Sequence, residues 1–175
     1  MSRTAESGGN MITVRPTIKS DVDTLCALQK AAFMPIYERY HDAGNPCLRG
    51  TEDISRRLDS LAFKYFTILD DGNIVGGVLY RCAGRTPFIA ELNAGEYYLA
   101  RIYVKPDCQC LGVGKKAILL CEKELRNAVK FYVDFPKELE KNRRCYESAG
   151  FYSSEKELEA EPGLVLAAYE KTVVS

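Results

Sequence analysis

Residues 99–125 read LARIYVKPDCQCLGVGKKAILLCEKEL. An apolar strand runs into Lys105-Pro106, a polar turn follows, and Gln109-x-x-Gly112-x-Gly114 then opens an amphipathic helix. Gly112 and Gly114 carry no Cβ, so a ligand can lie against the backbone there. The first amides of a helix are unpaired and sit at the positive end of its dipole, so the ligand they suit is an anion, most naturally a phosphate. Ile118, Cys121, Leu125 and Ala128 form the buried stripe of that helix, with Lys115, Glu122, Lys123 and Arg126 on its other faces.

Outward from this unit, periodicity and turn chemistry give an ordered series of elements. Residues 11–18 read as an edge strand around Pro16. Ser20-Asp21 caps a helix with Val22, Leu25, Leu28 and Ala32 on its buried face, which Pro35 is expected to break or kink. The stretch 36–50 is irregular. Thr51 caps a short second helix whose register holds Ile54, Leu58 and Leu61. Residues 65–69 and 74–81 flank an Asp-Gly-Asn turn and predict a hairpin. A loop over 84–95 leads to the strand 97–104 and the glycine-turn helix. After these come a strand at 129–135, a helix at 137–149, and a last strand at 163–172 hairpinned with a short strand near Tyr152. The order is β-α-α-β-β-β-α-β-α-β-β. No repeat or long linker divides it, so 11–175 reads as one domain behind a small, polar leader, residues 1–10.

The 99–125 stretch resembles the acetyl-CoA site of the GNAT superfamily of N-acetyltransferases. The matching residues are Val104-Lys105-Pro106, Gln109, Gly112 and Gly114, with Leu99 and Ile102 at apolar positions upstream. Tyr146-Glu147-Ser148-Ala149-Gly150-Phe151 is similar to the family's Tyr-Glu-x-x-Gly-Phe, in the same order along the chain. The resemblance implies an α/β (α+β) GNAT fold: a mixed sheet of six or seven strands, about four helices, and splayed fourth and fifth strands. It also implies acetyl-CoA as co-substrate and a small-molecule or peptide amine as acceptor.

Site residues follow from the same resemblance. Ile102, Tyr103 and Val104 would pair with pantetheine through their backbone, and Cys110, Leu111, Gly112, Val113, Gly114 and Lys115 would hold the pyrophosphate beside Gln109. Tyr146 matches the tyrosine that protonates the CoA sulfur. The general base is left between Glu96, Glu91 and a water chain, because Tyr98 occupies the position where some members carry a glutamate. Glu96 is taken as the catalytic candidate. Leu139 stands where an asparagine often contacts CoA, and Asn142 is the nearest substitute. Phe33, Tyr37, Tyr40, His41, Asp42 and the 85–96 loop map to the acceptor pocket.

Two other readings stand beside this one. An acyl-CoA-binding module without turnover would use the same cleft. A dinucleotide-binding unit would use Gly112-x-Gly114-x-x-Ala117 with Asp134 on the ribose, although a five-residue stretch, Lys105 to Gln109, separates the strand from the glycines. A P-loop fails because Gln109 replaces its first glycine and Lys116 its Ser/Thr.

Bulk composition narrows the classes further. The formal net charge is zero, which gives no electrostatic case for nucleic acid or an anionic membrane. No apolar run reaches the length of a membrane span. Seven scattered cysteines with a single histidine match no metal-ligand spacing, and a reducing cytoplasmic setting is expected. A homodimer stays open.

Overall fold

The computed structural model describes residues 11–174; the leader expected at residues 1–10 lies outside them. Its centre is a seven-stranded sheet in the order β1-β2-β3-β4-β5-β7-β6. The strands are β1 (Ile12–Pro16), β2 (Phe63–Asp70), β3 (Asn73–Arg81), β4 (Glu96–Val104), β5 (Lys130–Pro136), β6 (Tyr152–Glu161) and β7 (Leu164–Thr172). Every neighbouring pair is antiparallel except β4 and β5. A doubly wound dinucleotide sheet needs a run of parallel strands, so that alternative does not survive.

Helices α1 (Val22–Tyr40) and α2 (Thr51–Leu58) cover one face, and α3 (Val113–Glu124) and α4 (Glu140–Ser148) the other. Under α3 and α4 the core gathers Tyr80, Leu99, Ile118, Cys121, Phe131 and Phe135. Under α1 and α2 it gathers Leu25, Ile54, Tyr65, Leu79 and Tyr103. Strand alternation accounts for the division: Phe131, Val133 and Phe135 are buried on the α3 side, while Tyr132 and Asp134 turn to the α1 side.

Four local expectations are corrected. Pro35 sits inside α1 without ending it. Proline deletes one helical bond, but Ala31 and Pro35 are both exposed, so water can satisfy the freed carbonyl. The helix stops instead at His41, whose left-handed backbone (φ 51°) lets its N–H close on Tyr37 O at 2.7 Å. Leu61 falls beyond α2 and is 93% exposed, because that helix ends at Leu58. Ala128 likewise lies past α3 and caps a turn onto Leu125 O. The strand near Tyr152 is long, ten residues, and its polar pattern hid it as a solvated edge.

The expected divergence of β4 and β5 is present. Only Glu96, Tyr97 and Tyr98 of β4 pair with β5, opposite Lys130, Phe131 and Tyr132. Beyond Tyr98 a bulge intervenes: Leu79 and Tyr80 of β3 face Arg101 and Leu99, leaving Ala100 as the extra residue. From there to Val104 the β5-facing edge of β4 has no strand partner among the described residues.

Candidate active site

The glycine turn sits at the mouth of this gap. Cys110 (φ 63°) and Gly112 (φ 77°) are both left-handed, with Leu111 between them in the ordinary region. Such alternation aims successive amides inward, the geometry of an anion nest. From Cys110 to Lys115 no backbone N–H has an acceptor among the described residues, and the first bond of α3 is Lys116 N to Gly112 O at 3.1 Å. A Cβ on Gly112 would meet nothing within 4 Å, so this glycine answers to backbone conformation and open space. Gly114 answers to packing, because a Cβ there would lie 3.3 Å from Cys145 Sγ of α4.

Gln109 is tied into the scaffold. Its Nε2 donates to Val104 O at 2.8 Å, and its Oε1 accepts from Lys141 Nζ at 2.6 Å. It thereby joins the end of β4 to the first turn of α4, where Asn142 is half-buried. Ile102 and Val104 lean on the α3-side core. The Tyr103 ring turns the other way, within hydrogen-bond distance (2.6 Å) of Tyr65 Oη, leaving its backbone to the gap. Lys115 and Lys116 are exposed.

Tyr146 is buried at the gap's inner end on the α3 side, against Phe135 (ring centroids 5.2 Å) and Phe151 (6.1 Å). Its hydroxyl takes no hydrogen bond from the described residues, and burial, with Cys145 and Asp134 nearby, pushes its pKa well up. It therefore stays protonated.

On the opposite face two tyrosine–carboxylate pairs cross from strand to strand. Tyr132 of β5 donates to Glu96 of β4, and Tyr98 of β4 donates to Asp134 of β5 at 2.7 Å. Glu96 also accepts from Asn93 N at 3.0 Å. The Tyr132 bond is the main cause holding the Glu96 carboxyl below its usual range. Asp134 is in the reverse state: burial pushes it up to about 6, against a partial offset from Tyr98. In the sequence Asp134 stands out only as a candidate ribose ligand. Its place two residues past Tyr132, the β5 partner of Tyr98, came from the fold.

A cavity of about 20 Å3, room for one water, lies where Tyr98, Tyr132 and Asp134 meet Phe88 and Ile89. Those two loop residues, with Thr86, also border an open recess of about 410 Å3 framed by Arg85–Ala90. The other expected acceptor residues are dispersed. Phe33 packs edge-on to Tyr103, Tyr37 to His41, Tyr40 reaches Glu138 at 3.4 Å, Asp42 holds Asn45, and exposed Glu91 holds Gly84 N. Among the described residues all seven cysteines are free, no three His, Cys, Asp or Glu side chains cluster for a metal, and no helix is long and apolar enough to cross a membrane.

Comparison with known proteins gives one family and many folds alike. A sequence profile of the acetyltransferase (GNAT) family matches residues 27–151. The aminoglycoside acetyltransferase AAC(6')-Ib, solved with ribostamycin and coenzyme A, superposes with a TM-score of 0.73 at 17% identity, over 93% of this chain and 94% of that one. The PaiA N-acetyltransferase of Thermoplasma acidophilum with coenzyme A gives 0.68 at 16%, over 93% and 99%. The ribosomal-protein-S18-alanine N-acetyltransferase of Escherichia coli gives 0.69 at 14%, over 94% and 96%. At these identities the likeness is one of fold. No curated protein sequence matches.

Proposed function

The chain belongs to the GNAT acetyltransferase family, and on that premise we propose that it moves the acetyl group of acetyl-CoA directly to a primary amine of a small molecule or peptide. The observation that carries this reading is the gap: β4 loses its β5 partner after Tyr98, beside a run of free amides from Cys110 to Lys115. An extended pantetheine arm needs an unpaired strand edge, and a pyrophosphate needs convergent N–H donors. Both are present within one opening. The open space over Gly112 fits the close approach of the phosphates.

In this reading Ile102, Tyr103 and Val104 offer backbone groups to the pantetheine, and Cys110, Leu111, Gly112, Val113, Gly114 and Lys115 hold the pyrophosphate. Gln109 shapes that loop through Val104, and Asn142 flanks it from α4. Tyr146 gives its proton to the CoA sulfur as the C–S bond breaks. Glu96 stays in the wall of the site as an ionised carboxylate that orients Tyr132. Solved relatives hold acceptors of the same class, such as aminoglycosides, and one is an alanine N-acetyltransferase for a ribosomal protein. We place the chain, a single catalytic unit over 11–175, in the cytoplasm, in keeping with its free cysteines.

Calorimetry with acetyl-CoA and with NADH, followed by thiol release over a panel of aminoglycosides, polyamines and alanine-initiated peptides, tests the proposal. Acetyl-CoA should bind, NADH should not, and at least one amine should release thiol. Binding without thiol release from any amine would leave only the cofactor-binding module.

A further inference from the structure

We infer that Asp134 is the residue that takes the proton from the acceptor amine, with Tyr98 as its positioning residue. The inference rests on the acetyl-transfer reading above and names the base that reading lacks.

Position is the first argument. Asp134 and Phe135 are consecutive on β5, so they project to opposite faces of the sheet. Phe135 packs against Tyr146, the sulfur-side acid, whereas Asp134 faces the cavity shared with Tyr98, Phe88 and Ile89. Both lie where β4 and β5 part company. An acyl group held in the gap is thus flanked by a donor on one side and an acceptor on the other, as direct attack with departure of a thiolate requires. Asp134 and Tyr146 are close enough for the charge of one to raise the pKa of the other.

Chemistry separates Asp134 from its rivals. Glu96 uses one oxygen on Asn93 N and the other on Tyr132, which stabilises its ionised form and makes it a weak base. Glu91 is exposed and bonded to Gly84 N. Glu170 of β7 also borders the cavity, but Lys130 neutralises it at 3.0 Å. Asp134 Oδ2 accepts from Tyr98, while Oδ1 accepts nothing from the described residues. The other charged or titratable neighbours are Lys156 of β6 and Tyr169 of β7 on the cavity wall, Tyr146 of α4, and Arg81 of β3 beside Tyr98. Burial raises the Asp134 carboxyl to about 6, so near neutral pH it is ionised yet basic enough to accept a proton.

The step balances as follows. The ammonium of the acceptor gives one proton to Asp134, directly or across the one-water cavity. The freed lone pair forms the C–N bond, the C–S bond breaks, and sulfur takes the Tyr146 hydroxyl proton. The second N–H proton, made acidic by bond formation, returns to Tyr146, and Asp134 releases its proton to solvent.

The test uses the full chain with acetyl-CoA and the fastest amine of the panel. Wild-type kcat should rise with pH along a limb centred near 6. Asp134→Asn should lose that limb and about 10²–10⁴-fold of kcat while keeping its acetyl-CoA affinity. Tyr98→Phe removes the bond that lowers the carboxyl, so its limb should move to higher pH with activity recovered on the alkaline side. A second measurement needs no turnover: in protein labelled with ¹³C at the aspartate carboxyls, the resonance missing from Asp134→Asn should titrate near pH 6. Wild-type behaviour of Asp134→Asn, or titration of that resonance in the ordinary carboxylate range, overturns the inference. Failure of every amine with intact wild-type protein overturns the acceptor reading instead, and the carboxyl titration still decides Asp134.

Discussion

Gln109 Nε2 donates to Val104 O at 2.8 Å, so the first residue of the glycine-turn motif holds the last residue of the splayed strand. Lys141 Nζ on Gln109 Oε1 extends the tie to α4. The side chain therefore links the two surfaces between which acetyl-CoA is proposed to lie. Gln109→Leu should raise the acetyl-CoA KM or Kd about 5–10-fold, the worth of roughly one hydrogen bond, with kcat little changed. An equal fall in kcat at constant KM would show a role in the chemistry.

Gly112 and Gly114 should respond differently to an added side chain. Gly112→Ala forces a Cβ into a left-handed backbone, so the turn should relax and acetyl-CoA affinity should fall while the melting temperature changes little. Gly114→Val should lower the melting temperature as well, since its side chain would press on Cys145. Calorimetric binding and thermal unfolding of both variants separate the two cases.

Tyr146→Phe removes only a hydroxyl from a buried ring. If that hydroxyl protonates the leaving sulfur, kcat should fall about 10²–10⁴-fold with acetyl-CoA affinity near wild type. Unchanged kcat with a small shift in stability would make it a packing residue against Phe135 and Phe151.

Asp134 also predicts a pH-dependent stability. Its folded pKa, about 6, exceeds the unfolded carboxylate value, so the native state binds the proton more tightly. This favours folding as pH falls through that window and penalises it above. Asp134→Asn should therefore stabilise the protein at pH 8, by at most about 3 kcal/mol, and give no gain at pH 4. Denaturant unfolding at the two pH values measures the difference, and equal shifts at both would rule out the burial penalty.

Arg101 and Asp53 make a buried pair at 2.8 Å that joins β4 to α2, with Gln29 of α1 on the same guanidinium at 3.2 Å. Burial raises the Asp53 carboxyl, but Arg101 and Arg57 outweigh it and hold it below its usual range. Arg101→Met should cost about 3 kcal/mol or more by leaving Asp53 under-compensated. Loss of stability for wild type as pH falls toward the acid range should be blunted in Asp53→Asn, whose carboxylate no longer titrates.

Local patterning by itself determined the order of elements, the glycine turn with its free amides, and the likeness to the acetyltransferases, because these follow from residues near one another in sequence. Through that likeness it put forward Tyr146, in Tyr146-Glu147-x-x-Gly150-Phe151, and a phosphate-holding loop at Gln109, Gly112 and Gly114 as candidates. It missed the length of β6, whose glutamate-rich alternation reads as loop when both faces are wet. Nor could it give Lys141 on Gln109 or Cys145 against Gly114, both from α4. The contrast between Glu96 and Asp134 was also decided only by the tertiary structure. Both are carboxylates near a strand, but the packing of β4 on β5 brings Tyr132 to Glu96, which also accepts from Asn93 N just before its own strand, and leaves Asp134 with Tyr98 in a small cavity. A pKa depends on burial and on neighbours contributed by distant segments, so it is a property of the assembled sheet.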